Sequence, residues 1–337
     1  MSEILFSVII PTHNGETYIG QAIESVLNQT YPHFEVIVLE HESTDRTLEI
    51  AGSYNDPRIR ICSTNQHHTI ESNWGRILDL DLAEYMTILG HDDIFYPDFL
   101  QEIVSLIEKE PDASLYITHF HIIDSDGNVI RDCKPTPYKE TGEAFMRARQ
   151  HFHRDSFGTG YVMRSTDFKA VGGYSPIAKL YFADDLAAYR LADISGKVCS
   201  PKFLFGYRYH LTSESYMSGL ETLTQASRQF YAALEQTPYA KNAANMTLAQ
   251  EYIKKTFTRR YSRILVNMIY SSDTAKLPDY YAARKDFLKS FPGHIFSAYN
   301  MIARIVEIVA GISIPWLQRL FSKVLYYLVK RTRGMKD

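Results

Sequence analysis

MTILGHDDIFYP, residues 86–97, leads from an apolar strand into two adjacent carboxylates, Asp92 and Asp93, and then into a turn. In open α/β sheets, ligands bind at the carboxyl ends of the strands, which is where this pattern places the two acids. Hard cations such as Mg²⁺ or Mn²⁺ take oxygen ligands and bridge to substrate phosphates. The stretch therefore predicts a divalent-cation site that binds a nucleotide. The alternative is that the two acids only cap the helix that follows Pro97.

The amino-terminal part of the sequence predicts a parallel βαβ unit. Residues 6–10 and 34–39 read as buried strands, and apolar residues recur at helical spacing over residues 19–27. The second strand runs into a polar loop at residues 40–47. Since the ends of neighbouring parallel strands meet at one edge of a sheet, this loop and the acids after the later strand are expected to share one ligand site.

Four motifs stand out in the sequence: SVIIPTHN at 7–14, STDRT at 43–47, LGHDDIFYP at 89–97, and YFADD at 181–185 with RLA at 190–192. In this order and spacing they resemble glycosyltransferase family 2, nucleotide-sugar enzymes with the GT-A fold. A dinucleotide-binding domain is disfavoured because its G-x-G-x-x-G motif does not follow the first strand. The resemblance covers roughly residues 4–215 and implies a GT-A type (Rossmann-like) α/β domain over residues 1–215, with a mixed, mostly parallel sheet flanked by helices. A helical C-terminal region is expected over residues 216–337.

The resemblance also implies roles for individual residues. Those expected to bind the donor nucleotide are Pro11, His13, Asn14, Glu40, Asn73 and Asp92. Those expected to hold the divalent cation, Mg²⁺ or Mn²⁺, are Asp92, Asp93 and His210. The catalytic base is expected to be Asp184, with Asp185 as the second candidate. For this pair, the alternative is a helix N-terminus at which acids favour the helix dipole.

The chain departs from the family pattern at two places. The family usually has Asp-Asp-Gly where this sequence has Glu40-His41-Glu42, and the first acid of its D-x-D motif is Gly90 here. Metal binding is therefore expected to depend on fewer carboxylates, with Asp93 as a substitute. An alternative stays open, namely a degenerate, non-catalytic subunit that binds nucleotide sugars or acts as a scaffold in a glycan-assembly complex.

The resemblance implies an inverting glycosyltransferase that uses a nucleotide diphosphate sugar, with a UDP-sugar as the expected donor. The acceptor is expected to be a glycan or a lipid-linked saccharide in cell-surface polysaccharide synthesis. Negative charge on the departing diphosphate calls for a cation held in place beforehand. The acceptor hydroxyl calls for a carboxylate base within hydrogen-bond reach. Attack on the face opposite the diphosphate would invert the anomeric centre.

Composition is compatible with this interpretation. A chain of 337 residues with 45% hydrophobic content has room for one large α/β domain and a second element. A formal net charge of -3 disfavours nucleic acid as a partner. Three cysteines without a C-x-x-C motif favour a reducing compartment. Because the sequence enters its first strand directly, no signal peptide is expected, and a cytoplasmic location is predicted.

The C-terminal third predicts helices over roughly residues 219–236, 246–271, 277–290 and 296–331, with no transmembrane helix. The last of these combines an apolar stripe with basic residues. This combination suits a helix in the headgroup layer of an anionic membrane, on the inner face of the cell membrane. The alternative is that the helix packs on its own domain or on a second subunit of a homo-oligomer. The stripe comprises Leu317, Leu320, Phe321, Val324, Leu325 and Leu328, and the basic residues are Arg319, Lys323, Lys330, Arg331, Arg333 and Lys336.

Overall fold

The structure, a computed structural model, describes residues 3–210, 219–270 and 277–292. The chain forms two compact units, Met1–Met217 and Ser218–Asp337. The first is an α/β domain and the second is helical, which confirms the predicted fold class. The predicted helix over residues 296–331, with its apolar stripe and basic residues, lies outside the described residues.

The first unit contains a mixed ten-stranded sheet within the described residues. The central path runs β3-β2-β1-β4-β9-β6-β10-β5, with β7 beside β6 and β8 beside β10. Strands β3, β2, β1 and β4 are parallel, β9 is antiparallel to both of its neighbours, and β10 is parallel to β6. The strands are β1 Phe6–Thr12, β2 Phe34–Glu40, β3 Ile59–Cys62, β4 Tyr85–Ile88, β5 Ile94–Phe95, β6 Leu115–Ile123, β7 Val129–Asp132, β8 Lys139–Glu140, β9 Val162–Arg164 and β10 Lys197–Arg208.

Short helices connect or flank these strands. Helix α1 buries Ile19, Ala22, Ile23 and Val26, the i, i+3, i+4, i+7 pattern that predicts an amphipathic helix. Helix α4 follows the turn after β5 and buries six apolar side chains in the same way. The helices of this unit are α1 Ile19–Leu27, α2 Thr47–Gly52, α3 Ile70–Gly75, α4 Phe99–Lys109, α5 Gly142–Gln150, α6 Ser165–Ala170 and α7 Ala183–Ser195, with short 3₁₀ turns at Arg76–Asp79 and Ala178–Leu180.

The core of this unit lies between the sheet and helices α1 and α4. Strand β1 is buried along its whole length, and so are all but one of the residues of β2. Burial on both faces explains why these strands read as continuous apolar runs without alternation. The polar residues therefore concentrate where the strands end, so the sheet fixes the site at one edge.

The second unit contains three helices in its described part: α8 Leu220–Glu235, α9 Ala243–Tyr270 and α10 Leu277–Ser290. Aromatic rings pack them together, and the rings of Phe257 and Phe287 stack with centroids 3.8 Å apart. Arg228 on α8 pairs with Asp286 on α10 at 2.8 Å. None of the helices in the described ranges combines the length and hydrophobicity that a membrane crossing requires.

A matched pair of glycine substitutions tests how tightly the sheet packs near the site. Gly160 and Gly172 both have left-handed backbone, with φ of 77° and 78°. A Cβ on Gly160 would lie 2.8 Å from the Phe205 ring, whereas a Cβ on Gly172 would meet nothing within 4 Å. We expect Gly172→Ala to cost about 1 kcal/mol for the backbone alone. Gly160→Ala should cost about 1–3 kcal/mol more because of overpacking.

Urea denaturation of the two variants measures both costs as changes in the free energy of unfolding. Equal costs for the two substitutions would contradict the packing described around Phe205.

Candidate active site

The loops after β1 and β2 are joined by side-chain hydrogen bonds. Asn14 has a left-handed backbone, with φ of 49°, which asparagine tolerates better than most residues. Its backbone N–H donates to Ser43 Oγ at 3.0 Å, and its side-chain oxygen accepts from the Thr44 backbone N–H at 2.8 Å. The Gly15 N–H donates to Thr47 Oγ1 at 2.7 Å. These bonds hold the two polar loops side by side, as the βαβ interpretation predicts.

The histidine after β1 is held in one tautomer. Since His13 Nδ1 lies 2.8 Å from the carbonyl oxygen of His41, this nitrogen carries the proton. Its Nε2 then accepts from the Asn14 amide at 3.1 Å. The neighbouring Pro11 is a buried residue of β1. Of the residues predicted here to bind the nucleotide, His13 and Asn14 thus belong to one hydrogen-bonded loop.

Glu40 and Asn73 lie together at the end of β2. Glu40 is buried, and its Oε1 accepts from the Ser43 N–H at 2.6 Å. The Asn73 amide donates to the Leu39 carbonyl at 3.2 Å and accepts from Arg76 at 2.8 Å. Arg76 also donates to the Glu40 carbonyl at 2.9 Å. Both ends of the Asn73 amide therefore brace the strand, and Arg76 is part of this bracing although the sequence reasoning did not single it out.

Asp92 pairs with His210 at the end of β4. The Asp92 Oδ2 and His210 Nε2 atoms are 2.7 Å apart, and the Asp92 side chain retains 23% of its exposure. Burial opposes ionisation of this carboxyl, but the hydrogen bond from His210 and the charges of His91 and His210 lower the pKa of Asp92. The carboxylate is therefore ionised at neutral pH and partly open to solvent.

Asp93, the next residue, is buried. Its Oδ2 accepts from Thr159 Oγ1 at 2.7 Å, and its Oδ1 accepts from the Arg208 backbone N–H at 2.8 Å. Burial, followed by the charge of Asp92, raises the pKa of Asp93 well above its usual value. Since both oxygens hold the surrounding loops, Asp93 braces the site. Neither acid caps the following helix, which has Asp98 at its N-cap.

Arg208, at the end of β10, is a buried residue that the sequence analysis missed. Its guanidinium donates to the Asp92 carbonyl at 2.7 Å, to the Asp124 and Ser125 carbonyls at 3.0 and 2.9 Å, and to Gln21 at 2.9 Å. It also lies over the Tyr18 ring at 4.6 Å. A single buried cation thus links the acid loop, the turn before β7 and helix α1. The signal in the sequence is an arginine that follows the run FLFGY at residues 203–207.

Asp184 and Asp185 form the first turn of α7 but have different surroundings. Asp185 is fully buried and pairs with Arg149 Nε at 2.7 Å. Burial, followed by the neighbouring Asp185, raises the pKa of Asp184 to about 7, although Arg149 opposes this shift. The left-handed Phe182 at the N-cap, with φ of 63°, turns the chain into the helix. Asp185 thus holds the helix in place, and Asp184 is suited to exchange a proton at neutral pH.

Aromatic side chains and glycines surround Asp184. A Cβ on Gly158 would lie 3.2 Å from the Trp74 ring and 3.9 Å from Asp184 Cβ, so the chain passes close to both. Tyr174 donates to the Gly158 carbonyl at 2.8 Å and packs edge-on against Trp74. Burial, and then the charges of Asp93, Asp92 and Asp184, raise the pKa of Tyr207 well above its usual value. Thr159, the residue after Gly158, donates to the Asp93 carboxylate at 2.7 Å, so one short segment of chain contacts Asp93 and passes close to Asp184.

The donor set is small for a metal site. In the part of the chain that the structure describes, no group of three or more His, Cys, Asp and Glu side chains is arranged to hold a metal ion. Mg²⁺ commonly needs only one or two protein carboxylates, because substrate phosphates and waters complete its octahedron at 2.0–2.1 Å. Adjacent ligands of such an octahedron are about 3 Å apart, close to the 2.7 Å that separates Asp92 Oδ2 from His210 Nε2. Asp92 and His210 therefore fit a cation that a diphosphate shares.

Gly90 occupies the position at which the family usually has its first acid. A Cβ there would lie 2.8 Å from carboxylate oxygens of both Asp92 and Asp93. A side chain at this position would therefore point at the acid pair. Gly90 itself contributes no carboxylate oxygen next to this pair.

Comparison with known proteins agrees with this geometry. Residues 7–171 match the family model described as Glycosyl transferase family 2. A glycosyltransferase of Rickettsia typhi is 28% identical over 183 residues, which are 54% of this chain and 57% of the relative. The glycosyltransferase GlyG of Streptococcus pneumoniae is 30% identical over 131 residues, 38% of this chain and 43% of the relative. The matched regions thus span about half the length of these relatives.

Solved structures show the same fold at low identity. The S. aureus TarS fragment 1–349 in complex with UDP-GlcNAc aligns with a TM-score of 0.62 and 16% identity, covering 98% of this chain and 93% of that chain. The mannosyltransferase PcManGT from Pyrobaculum calidifontis, in complex with GDP-Man and Mn²⁺, aligns with a TM-score of 0.53 and 14% identity over 98% of this chain and 87% of that chain. These alignments confirm the predicted GT-A type fold. The family match over residues 7–171 shows that the amino-terminal domain of the chain belongs to glycosyltransferase family 2.

Proposed function

We propose that the protein is an inverting glycosyltransferase. It would move a sugar from a nucleoside diphosphate donor, expected to be a UDP-sugar, to a hydroxyl of the acceptor. The acceptor would be a glycan or a lipid-linked saccharide in cell-surface polysaccharide synthesis. The observation that carries this proposal is the Asp92–His210 pair, whose neighbour Asp93 is linked through residues 158–159 to Asp184, a second acid whose pKa is about 7. The complexes of TarS with UDP-GlcNAc and of PcManGT with GDP-Man support the donor class.

The two polar loops and the acid loop would bind the donor together. The nucleoside would lie along the ends of β1 and β2, and the diphosphate would lie at the end of β4. A divalent cation, Mg²⁺ or Mn²⁺, would neutralise charge on the diphosphate as it departs. Asp92 and His210 would hold that cation, while Asp93 keeps the acid loop in place. The donor-binding residues in this proposal are Pro11, His13, Asn14, Glu40, Asn73 and Asp92.

Asp184 would take the proton from the acceptor hydroxyl. A general base works best when its pKa lies near the operating pH, and burial provides that pKa here. Trp74, Tyr174 and the chain at Gly158 surround the carboxylate and would limit the water around it. Asp185 would keep Asp184 oriented through the ion pair between α7 and Arg149. Attack from the Asp184 side on a sugar whose diphosphate lies at Asp92 would invert the anomeric centre.

A second candidate function is a non-catalytic subunit that binds nucleotide sugars or acts as a scaffold in a glycan-assembly complex. The observation in its favour is Gly90, which leaves Asp92 and His210 as the cation ligands. In either function, the C-terminal region would bind an anionic membrane surface on the cytoplasmic side. Alternatively, it would pack on a second copy of the chain in a homo-oligomer.

Removing the cation ligand should abolish metal-dependent nucleotide binding. A ligand present at 100 times its Kd stabilises the folded state by about 2.7 kcal/mol. We expect UDP with Mn²⁺ to raise the melting temperature of the wild-type protein by several degrees relative to UDP with EDTA. Asp92→Asn should lose this difference, and Asp81→Asn, which alters an exposed acid, should keep it. A wild-type protein that responds equally with Mn²⁺ and EDTA would contradict the role of Asp92.

Asp184→Asn should lower sugar transfer about 10²–10⁴-fold, while the Kd for UDP with Mn²⁺ stays within about twofold. In the wild-type protein, the rate should rise with pH through about 7, since the base works only when deprotonated. The assay is release of UDP from a panel of UDP-sugars between pH 5 and 9. Asp193→Asn, an exposed acid on the same helix, is the control. Full activity of Asp184→Asn would assign the base to another residue. A wild-type protein that turns over no donor would favour the non-catalytic function.

The same substitution should stabilise the protein at alkaline pH. The pKa of Asp184 is about 7 when folded, against an ordinary value of about 4, so the folded state holds the proton more tightly. The charged carboxylate therefore destabilises the fold increasingly as pH rises from about 4 to 7. Asp184→Asn should raise the melting temperature more at pH 8 than at pH 5. A gain of the same size at both pH values would contradict the raised pKa.

A further inference from the structure

The chain enters helix α7 through a strained turn. Lys179 and Leu180 have left-handed backbone, with φ of 52° and 54°, and so does Phe182, with φ of 63°. The Tyr181 N–H donates to the Ala178 carbonyl at 3.2 Å, which closes a four-residue turn around Lys179 and Leu180. Two central residues with positive φ are typical of a type I′ turn, in which Gly, Asn and Asp usually occupy these positions. Larger side chains cost free energy in this conformation, so contacts from elsewhere must hold the turn.

The carboxylate of Glu71 holds this turn from another part of the chain. Its Oε1 accepts from the Lys179 backbone N–H at 2.5 Å. Burial opposes ionisation of this carboxyl, but hydrogen bonds from Thr69 and from backbone N–H groups, together with the charge of Lys179, lower the pKa of Glu71. The carboxylate is therefore ionised at neutral pH. A hydrogen bond to a charged acceptor is stronger than one between neutral groups, so this bond offsets part of the strain.

Glu71 lies on a helix that is itself held in place. It belongs to the first turn of α3, and the Thr69 hydroxyl caps this helix by accepting from the Ser72 N–H. Two residues after Glu71, the Asn73 amide donates to the Leu39 carbonyl near the end of β2 at 3.2 Å. The turn before α7 is thus tied, through α3, to the strand that leads into the second polar loop.

The strained turn lies directly before the proposed catalytic base. Helix α7 begins at Ala183, and Asp184 is its second residue. The Leu186 N–H donates to the Phe182 carbonyl at 3.0 Å, so the helix starts from the last left-handed residue. Because the turn determines the direction in which the helix starts, it also determines where the Asp184 carboxyl lies. Strained backbone that persists in this way often has a role in a site.

We propose that Glu71 is a positioning residue for sugar transfer, which holds the turn at residues 178–181 in its left-handed form and so keeps Asp184 within reach of the acceptor hydroxyl. This inference rests on the proposed function. Without the carboxylate, Lys179 would relax toward the right-handed or extended backbone that side chains prefer, and Asp184 would move with the helix. The donor would still bind, because the loops after β1 and β2 are joined by their own hydrogen bonds, such as that from the Asn14 N–H to Ser43 Oγ.

Substitutions in the full chain test this role. Glu71→Ala removes the acceptor of the Lys179 N–H, and Glu71→Gln keeps an acceptor oxygen at the same distance from the backbone. The double variant Glu71→Ala/Lys179→Gly removes the acceptor but also the strain, because glycine adopts positive φ about as readily as negative φ. Glu221→Ala is the control, since it removes an exposed acid from the first turn of another helix, α8.

The measurements are kcat for release of UDP from the UDP-sugar that the wild type uses, and the Kd for UDP with Mn²⁺ by calorimetry. We expect Glu71→Ala to lower kcat about 10–100-fold, the loss that a small displacement of a catalytic group causes. Its Kd should stay within about twofold of the wild-type value, since ground-state binding of the nucleotide does not use the base. Glu71→Gln and Glu71→Ala/Lys179→Gly should each recover part of the lost kcat, and Glu221→Ala should match the wild type.

Three results would overturn the positioning role of Glu71 and leave the proposed function standing. The first is a Glu71→Ala variant with the kcat of the wild type. The second is a loss that falls on the Kd for UDP as much as on kcat, which would indicate general damage to α3. The third is a double variant no faster than Glu71→Ala, because relief of the strain should restore the turn. A wild-type protein that turns over no UDP-sugar would overturn the positioning role and the proposed function together.

Discussion

The buried guanidinium of Arg208 is the interaction on which the candidate site depends. It donates to main-chain carbonyls of the acid loop and of the turn before β7, and its own backbone N–H donates to the Asp93 carboxylate. A buried charge needs several hydrogen bonds to offset its desolvation, and these carbonyls provide them. Because these bonds end on two different segments, the acid loop and the turn before β7, one side chain fixes where Asp92 lies relative to the end of β10. His210 follows two residues later and meets Asp92 for that reason.

The three neighbouring acids have separate tasks because their surroundings differ. Asp92 keeps part of its exposure and is ionised, and Asp93 is buried with both oxygens bonded. Asp184 is half-buried beside Asp185 and has a raised pKa. One ionised acid suits a cation and one acid that titrates near neutrality suits proton transfer, as the proposed function requires. Sequence alone shows four acids in two adjacent pairs. Only the packing around each carboxyl separates the residues that bind from those that brace.

Much of the fold follows from sequence because the early strands are strongly apolar. Strands β1, β2 and β4 and helices α1 and α4 lie close to their predicted positions, since local periodicity determines them. Strand β9, Val162–Arg164, lies between β4 and β6 in the sheet, yet three residues carry no readable period. Its place depends on pairing with strands far away in the sequence. The long strand β10 was likewise not predicted, since it mixes exposed and buried residues and has irregular register.

The departures from the family pattern also gain a physical meaning. Glu42 has a left-handed backbone, with φ of 45°, which explains why glycine is usual at this position and why glutamate is strained there. Arg208 could not be assigned from sequence, because its importance depends on carbonyls that only the folded chain brings near.

The central claim is that Asp92 and Asp184 act on opposite sides of one donor sugar. A crystal structure of the protein with Mn²⁺ and a non-hydrolysable UDP-sugar tests this most directly. We expect manganese to be bound to the Asp92 carboxylate, to His210 and to the diphosphate. We expect the Asp184 carboxylate to face the anomeric carbon from the side opposite the leaving oxygen. Manganese bound away from Asp92, or Asp184 on the diphosphate side of the sugar, would contradict it.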